Sequence, residues 1–175
     1  MSAGLWAQVA ADWRAHDRDW TRPGFRAVAV HRFGVWRMGI RSRPLRAPFG
    51  ILYRWAFRRC RNRYGIELPY TVKLGQGVVI EHQGAIVVHG NCEIGDRCII
   101  RQGCTLGLRR LDDLTAAPVL EAGVELGAGS VILGRVRLGR GARVGANAVV
   151  LHDVPAGATV SGIPAAVRQS GRERG

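Results

Sequence analysis

Aliphatic side chains recur every six residues through the second half of the chain, from about residue 72 to residue 155. A fixed period this short is typical of a parallel β-helix, in which stacked turns bury a core that no single repeat could bury. Three repeats make one triangular turn, so residues eighteen apart should stack, as Leu120 over Leu138. The aliphatic residue that opens each repeat, here called its leader, is Leu74, Ile80, Ile86, Ile94, Ile100, Leu106, Leu120, Leu126, Ile132, Leu138, Val144 or Val150.

The repeat is interrupted twice. Two residues are added between Ile86 and Ile94, and eight are added between Leu106 and Leu120. We therefore expect residues 107–118 to leave the β-helix as a loop. Small residues follow many leaders by four positions, as a tight corner that faces inward would require: Gly84, Gly90, Cys98, Cys104, Ser130, Ala142 and Ala148.

The first part of the chain has a different composition. All Trp, Phe and Tyr residues lie between positions 6 and 70, and apolar residues recur there at three- and four-residue spacing, for example from Phe49 to Cys60. That spacing predicts amphipathic helices. The fold class predicted is mainly β, with a helical segment at 1–69, a parallel β-helix at 70–165 and a C-terminal tail at 166–175.

Charge is divided as unevenly as the aromatic residues. Residues 1–70 contain 14 Arg but only four acidic residues, within a chain of formal net charge +13. Such a basic segment could bind nucleic acid, a membrane surface or an anionic substrate. Alternatively, it is an arginine-rich helix face that is solvated or covers another subunit. We expect no nucleic-acid partner because no such motif is present, whereas peripheral contact with a membrane stays open.

The sequence also bears on location and metals. No stretch approaches the 18 or so apolar residues of a membrane span, and the N-terminus lacks the basic start and apolar run of a signal peptide. We therefore expect a cytoplasmic protein without a transmembrane segment. The four cysteines follow the repeat and form no Cys-x-x-Cys pair, so we expect no metal site.

The residues around the repeat resemble the hexapeptide acyltransferases, and most closely the serine acetyltransferases. The resemblance rests on Gly-Val-Val-Ile-Glu-His at 77–82, Arg-Gln-Gly-Cys-Thr-Leu-Gly at 101–107 and Gly-Ala-Gly-Ser-Val-Ile-Leu-Gly at 127–134, and more weakly on residues 18–32. It implies a left-handed β-helix, acetyl-CoA as the acyl donor and a homotrimer. The helical segment is shorter than the family's, which favours a trimer over a hexamer.

Acetyl transfer to a hydroxyl needs a general base, and histidine is suited to that role at neutral pH. His82 follows Glu81 where the family motif carries its catalytic histidine, whereas the other four histidines match no family role. Glu67 lies fifteen residues earlier, where the family places an Asp that orients the histidine. The resemblance also implies that Glu81 and Asp19 bind the acceptor. No Ser or Cys lies beside a base in the motif, so direct transfer is expected.

The resemblance further implies a groove for CoA between neighbouring subunits. In the family, this groove is lined by residues of small size or by backbone polar groups. The matching positions here are Gly107, Ala128, Ser130 and Ala146. Arg168, just after the closing Gly-Ile-Pro-Ala, could meet a CoA phosphate.

The acceptor is where this sequence departs from the family. Serine acetyltransferases end the loop corresponding to 107–118 in Arg-His-Pro, whose first two residues hold the serine carboxylate, but here the residues are Ala116, Ala117 and Pro118. An unpaired carboxylate in the site would be costly, although Arg109 and Arg110 could compensate. We expect O-acetylation of another small molecule or a glycan precursor. The alternatives are serine O-acetylation in cysteine biosynthesis, N-acetylation of an amino sugar, and a non-catalytic scaffold.

Overall fold

The computed structural model describes residues 4–110 and 112–168, which begin with a helical segment. The helix at Arg43–Arg59 continues into a π-helical turn at Cys60–Tyr64 and ends at Gly65, whose φ of 64° is one that glycine adopts at little cost. No helix in the described ranges is long and apolar enough to cross a membrane. The helices are α1 at Leu5–Ala15, α2 at Pro23–Met38 and α3 at Arg43–Arg59.

Short strands follow one another from residue 66 onward, and the first of them precedes residue 70, where the sequence placed the start of the β-helix. The strands are β1 Ile66–Glu67, β2 Lys73–Leu74, β3 Val79–Ile80, β4 Ile86–Val88, β5 Glu93–Ile94, β6 Ile99–Ile100, β7 Thr105–Gly107, β8 Val119–Leu120, β9 Glu125–Leu126, β10 Val131–Leu133, β11 Arg137–Leu138, β12 Arg143–Val144, β13 Val149–Val150, β14 Thr159–Ser161 and β15 Ala166–Arg168.

The strands stack into three sheets, which form the three faces of a coil. Face A is β1-β4-β7-β10-β13, face B is β2-β5-β8-β11, and face C is β3-β6-β9-β12-β14 with β15 antiparallel at its end. Leu138 lies opposite Leu120, as the eighteen-residue period predicted, and the later leaders follow the same register. The predicted inward corner is confirmed for Cys98, Cys104, Ser130, Ala142 and Ala148, which are all fully buried, but it is wrong for Gly84 and Gly90, which are only half-buried.

The structure corrects the position of the first interruption. On face C, Ile80 lies opposite Ile100, twenty residues later, whereas on face A Val87 lies opposite Thr105, only eighteen later. Two residues without a counterpart must therefore lie between Ile80 and Val87. The prediction that they lie between Ile86 and Ile94 is wrong.

Two inward-facing aliphatic residues explain the error. Ile86 and Val88 are both buried, and it is Val88 that lies opposite Leu106 and leads the repeat. Either residue fits the six-residue pattern when only hydrophobicity is considered. A small residue follows each of them by four positions, Gly90 after Ile86 and Cys92 after Val88, and it is Cys92 that occupies the inward corner, where it is 1% exposed.

The helical segment is fastened to the first turn of the coil by buried polar contacts. Arg32 in α2 pairs with Asp12 in α1, with Nε 2.8 Å from Oδ2, and its Nη1 donates to the Leu74 carbonyl at 2.8 Å. His31 contacts the Val72 carbonyl at 2.9 Å through Nε2. Because breaking a buried ion pair leaves an uncompensated charge, these contacts fix how the helices sit on the coil.

Candidate active site

His82 lies on an enlarged corner of the coil between β3 and β4, here called the His82 corner and comprising residues 81–85. The backbone hydrogen bonds from Glu81 to Ile100 and from Gly103 to Gly84 resume the stacking on either side. The two residues without a counterpart are therefore His82 and Gln83, and both are exposed. Inserted residues of this kind redirect side chains and are common beside active sites.

A buried histidine holds the backbone just before this corner. His16 Nε2 accepts a hydrogen bond from the Ile80 N–H at 3.2 Å, and its Nδ1 donates to the Asp12 carbonyl at 2.7 Å. An amide N–H can only donate and a carbonyl can only accept, so the ring must be neutral with its proton on Nδ1. Burial lowers the pKa of His16, which favours that neutral form.

Glu67, the predicted orienting residue, is half-buried on β1. It lies opposite Val87 on face A, the face that the His82 corner leads into. Within the described ranges, neither the Glu67 carboxylate nor the His82 ring has a hydrogen-bond or ion-pair partner. Both groups are therefore available, and their pairing stays a prediction.

Glu81 does have a partner, and sequence reasoning missed it. Arg101 Nε lies 2.7 Å from Glu81 Oε2, and both side chains are about one-third exposed. The two residues are twenty positions apart, which is one turn of the coil at this level. The corrected register would have revealed the pair, because Ile80 and Ile100 lie opposite each other.

Asp19 lies in the turn between α1 and α2. Its Oδ1 accepts hydrogen bonds from the N–H of Thr21 at 2.8 Å and from the Thr21 hydroxyl at 2.6 Å, and these contacts lower the pKa of the Asp19 carboxyl. The residues on either side of the turn, His16 and Gly24, both contact Ile80. The turn thus lies beside the His82 corner, and Asp19 shapes the turn itself.

The loop arginines lie elsewhere on the coil. The loop follows β7 at the corner between faces A and B, while the His82 corner lies between faces C and A, so one chain places them at opposite ends of face A. Arg110 pairs with Asp112 at 2.8 Å, whereas the Arg109 guanidinium has no partner in the described ranges. Both arginines line a cavity of about 250 Å³ beside Gly134 and Leu151.

Small residues continue the line of the His82 corner along the later turns. Asn147 N–H donates to the Ala128 carbonyl at 2.8 Å, so Ala128 and Ala146 occupy equivalent corner positions on neighbouring turns. Gln102 occupies that position one turn closer to His82. Ala146 is exposed and Ala128 half-exposed. Ala128 and Ala146 therefore form an open strip of short side chains, here called the corner strip, on which an extended ligand could lie and which Gln102 separates from His82.

Three predicted cofactor residues lie outside the corner strip. The Ser130 side chain points into the coil, with Oγ 3.4 Å from Cys104 Sγ, and its backbone N–H and C=O are both hydrogen-bonded. Ser130 can therefore shape the groove only through its small size. Gly107 lies at the corner between faces A and B, beside the loop. The side chain of Arg168 lies outside the described residues.

Comparison with known proteins identifies the family. Residues 117–152 match the family described as bacterial transferase hexapeptide (six repeats). The chain is 37% identical over 145 residues to the serine acetyltransferase of Synechococcus elongatus, an alignment that covers 83% of this chain and 57% of the relative. The chain is a serine acetyltransferase-like hexapeptide-repeat protein. It spans only about half the length of the curated relatives it matches.

Solved structures extend the likeness to the whole fold. Serine acetyltransferase from Neisseria gonorrhoeae superposes with a TM-score of 0.80 at 27% identity, over 94% of this chain and 66% of that one. The enzyme from Brucella abortus strain S19 in complex with coenzyme A gives a TM-score of 0.79 at 26% identity, over 93% and 67%. These matches confirm the left-handed parallel β-helix preceded by helices.

In the described part of the chain, neither a reactive cysteine nor a metal site forms a second centre of chemistry. Burial raises the pKa of the Cys92 thiol to about 12 and also raises that of Cys98, so neither is a nucleophile at neutral pH. Across residues 4–110 and 112–168, no three His, Cys, Asp or Glu side chains are grouped so that they could hold a metal ion. The exposed His82 on its bulge is the feature most suited to catalysis.

Proposed function

We propose that this protein transfers the acetyl group of acetyl-CoA to a hydroxyl of a small acceptor, with His82 as the general base. One observation carries the proposal: a two-residue insertion presents an exposed His82, unpaired in the described residues, on the same edge of the coil as the corner strip. Similarity to serine acetyltransferases, including one solved with coenzyme A, supports acetyl-CoA as the donor.

The reaction is a direct transfer within a complex of both substrates. His82 accepts the hydroxyl proton while the acceptor oxygen attacks the acetyl carbonyl carbon. Backbone N–H groups stabilise the negative charge that develops on the carbonyl oxygen. The C–S bond then breaks, and the imidazolium gives its proton to the departing thiolate, leaving an O-acetyl ester and CoA. Glu67 orients the imidazole and stabilises its charged form.

Two acceptor classes have support from different observations. The names of the relatives favour L-serine, since each of the similar curated proteins cited above is a serine acetyltransferase. The loop favours a neutral hydroxyl of a small molecule or glycan precursor, because Ala117 and Pro118 are buried and offer no cation to a carboxylate. The unpaired Arg109 is the side chain that could restore serine binding. Glu81 and Asp19 remain proposed acceptor contacts.

The site is proposed to be shared between chains. The His82 corner and the loop lie at opposite ends of face A, so a loop arginine reaches an acceptor at His82 only from a neighbouring copy. A homotrimer with three such sites satisfies this requirement. Light scattering should then give three times the chain mass of 19.1 kDa, and a monomer at micromolar concentration would contradict it. The cytoplasmic location expected from the sequence stays a prediction.

Thiol release from acetyl-CoA tests the proposed reaction, with and without an acceptor hydroxyl. Release should depend on the acceptor, and Ala146→Trp should weaken CoA binding because the indole would fill the corner strip. Arg143→Gln, an exposed change on the neighbouring strand, is the matched control and should leave CoA binding unchanged. A protein that binds no CoA would contradict the proposal.

A further inference from the structure

Four arginines line one cavity between α2 and α3, and none of them forms an ion pair with a carboxylate in the described residues. The cavity measures about 240 Å³, and its other walls are Ala47, Gly50 and Ile51. In the described part of the helical segment, the carboxylates form ion pairs only with Arg22 and Arg32. The cavity therefore carries unbalanced positive charge. Its arginines are Arg37, Arg43, Arg46 and Arg54.

Arg37 is held in place at the base of this cavity. Its guanidinium carbon lies 4.6 Å from the ring centre of Tyr53 and 4.6 Å from that of Tyr70, so two aromatic rings fix its orientation. Its Nε is buried and has no hydrogen-bond partner in the described residues. The same guanidinium presents Nη1 to Gly50 in the cavity wall, where an anion would offset the cost of holding a partly desolvated cation.

A second guanidinium converges on the same point from α3. A methyl group at Gly50 would lie 3.7 Å from Arg54 Nη1 and 3.8 Å from Arg37 Nη1. Both groups are therefore within reach of one bridging anion, and the absence of a side chain at Gly50 leaves room for it. Since like charges this close repel each other, an anion between them would remove the repulsion.

The position on α3 adds to the positive potential. Arg43 and Arg46 lie in the first two turns of the helix, and the first turn contains no acidic residue. A helix N-terminus carries a partial positive charge, which arginines there reinforce and an anion would offset.

We propose that Arg37, Arg43, Arg46 and Arg54 form a binding site for a phosphate group, separate from the His82 corner. The planar guanidinium fork matches the oxygen geometry of phosphate and binds it through paired charge-assisted hydrogen bonds. The phosphate belongs either to a soluble molecule or to a lipid headgroup. The second source is relevant because Leu45, Leu52 and Trp55 are exposed on the same helix.

Titration calorimetry with inorganic phosphate at constant ionic strength tests the site. The wild-type chain should bind phosphate saturably, and the double variant Arg46→Gln with Arg54→Gln should bind it at least about tenfold more weakly, the scale of losing charge-assisted contacts. Arg58→Gln with Arg61→Gln removes the same charge nearby but outside the cavity and should leave binding unchanged. Both changes are at exposed or half-exposed residues, and matching unfolding midpoints without phosphate would show that the variants are folded.

The outcomes separate this site from the proposed active site. Phosphate bound in a CoA groove would be unaffected by the cavity variant, so equal binding by the wild type and that variant would overturn the proposal. Equal weakening in both double variants would also overturn it, because attraction would then be a matter of net charge alone. Failure of acetyl transfer would not affect either comparison.

A second arm identifies the source of the phosphate. Vesicles of phosphatidylcholine with and without phosphatidylglycerol are sedimented with each protein. Binding to the anionic vesicles that is lost in the cavity variant and kept in the control assigns a lipid headgroup. Saturable phosphate binding without vesicle binding assigns a soluble phosphate. Absence of both would contradict the site.

Discussion

His16 accepts a hydrogen bond from the backbone N–H of Ile80, two residues before His82. The contact joins the end of α1 to the strand that leads into the proposed catalytic corner. The imidazole is fully buried, and no aliphatic side chain in its place could accept this hydrogen bond. We therefore expect the position of His82 to depend on a side chain in the helical segment.

Replacing His16 by Leu should lower both stability and turnover. Leaving the buried Ile80 N–H unsatisfied costs about 1–3 kcal/mol of unfolding free energy. Denaturant unfolding measures this loss, and kinetics should show that kcat falls more than the KM for acetyl-CoA rises. His152→Leu, a change at an exposed histidine, is the control. A reduced stability with an unchanged kcat would show that the contact does not position His82.

Acid should weaken the junction between the helices and the coil. Burial lowers the pKa of His31 to about 4, with the Val72 hydrogen bond partly offsetting the effect, from an ordinary value of 6.5. Between pH 4 and pH 6.5 the unfolded chain therefore binds a proton at His31, whereas the folded chain does not. The contribution of His31 is complete above pH 6.5 and is lost as the pH falls toward 4, by on the order of 3 kcal/mol.

The comparison of wild type with His31→Gln isolates this effect. The glutamine amide can still donate to the Val72 carbonyl but does not titrate in this range. Unfolding free energies measured at pH 7 and pH 4.5 should differ less in the variant than in the wild type. Equal differences would mean that His31 does not contribute to the pH dependence.

The acceptor loop predicts a preference that a panel of hydroxyl compounds can measure. Without a cation at Ala116 or Ala117, L-serine should have a lower kcat/KM than a neutral polyol or sugar derivative, since each lost charge-assisted contact is worth about 1.5–3 kcal/mol. If serine is nevertheless the best acceptor, Arg109→Ala should raise its KM. Arg110→Ala is the matched comparison, because Arg110 is already paired with Asp112. A high efficiency with serine that neither variant changes would contradict the loop's proposed role.

Most of the strand register of the coil could be predicted from its six-residue hydrophobic period. The stacking of Leu120 with Leu138 is an arithmetic consequence of six-residue repeats, and the structure has that register. The position of the first insertion does not follow, because Ile86 and Val88 are equally suitable leaders and only packing decides between them. That ambiguity hid the fact that His82 is itself an inserted residue.

Contacts between distant segments were harder to predict. The pairing of Glu81 with Arg101 needed the corrected register, and the contact of His16 with Ile80 needed the docking of α1 onto the coil. Periodicity within a helix shows which residues are buried but not which buried group on another element they meet. His16 therefore had no role that the sequence alone could assign.

The variant His82→Ala tests whether His82 is the general base of acetyl transfer. The exposed ring has no partner in the described ranges, so the variant should fold as the wild type does. Thiol release at saturating acetyl-CoA and acceptor should fall by roughly 10² to 10⁴, the scale for a lost general base, while CoA affinity stays within about twofold, a difference of about 0.4 kcal/mol. A turnover rate near that of the wild type would show that His82 is not the general base.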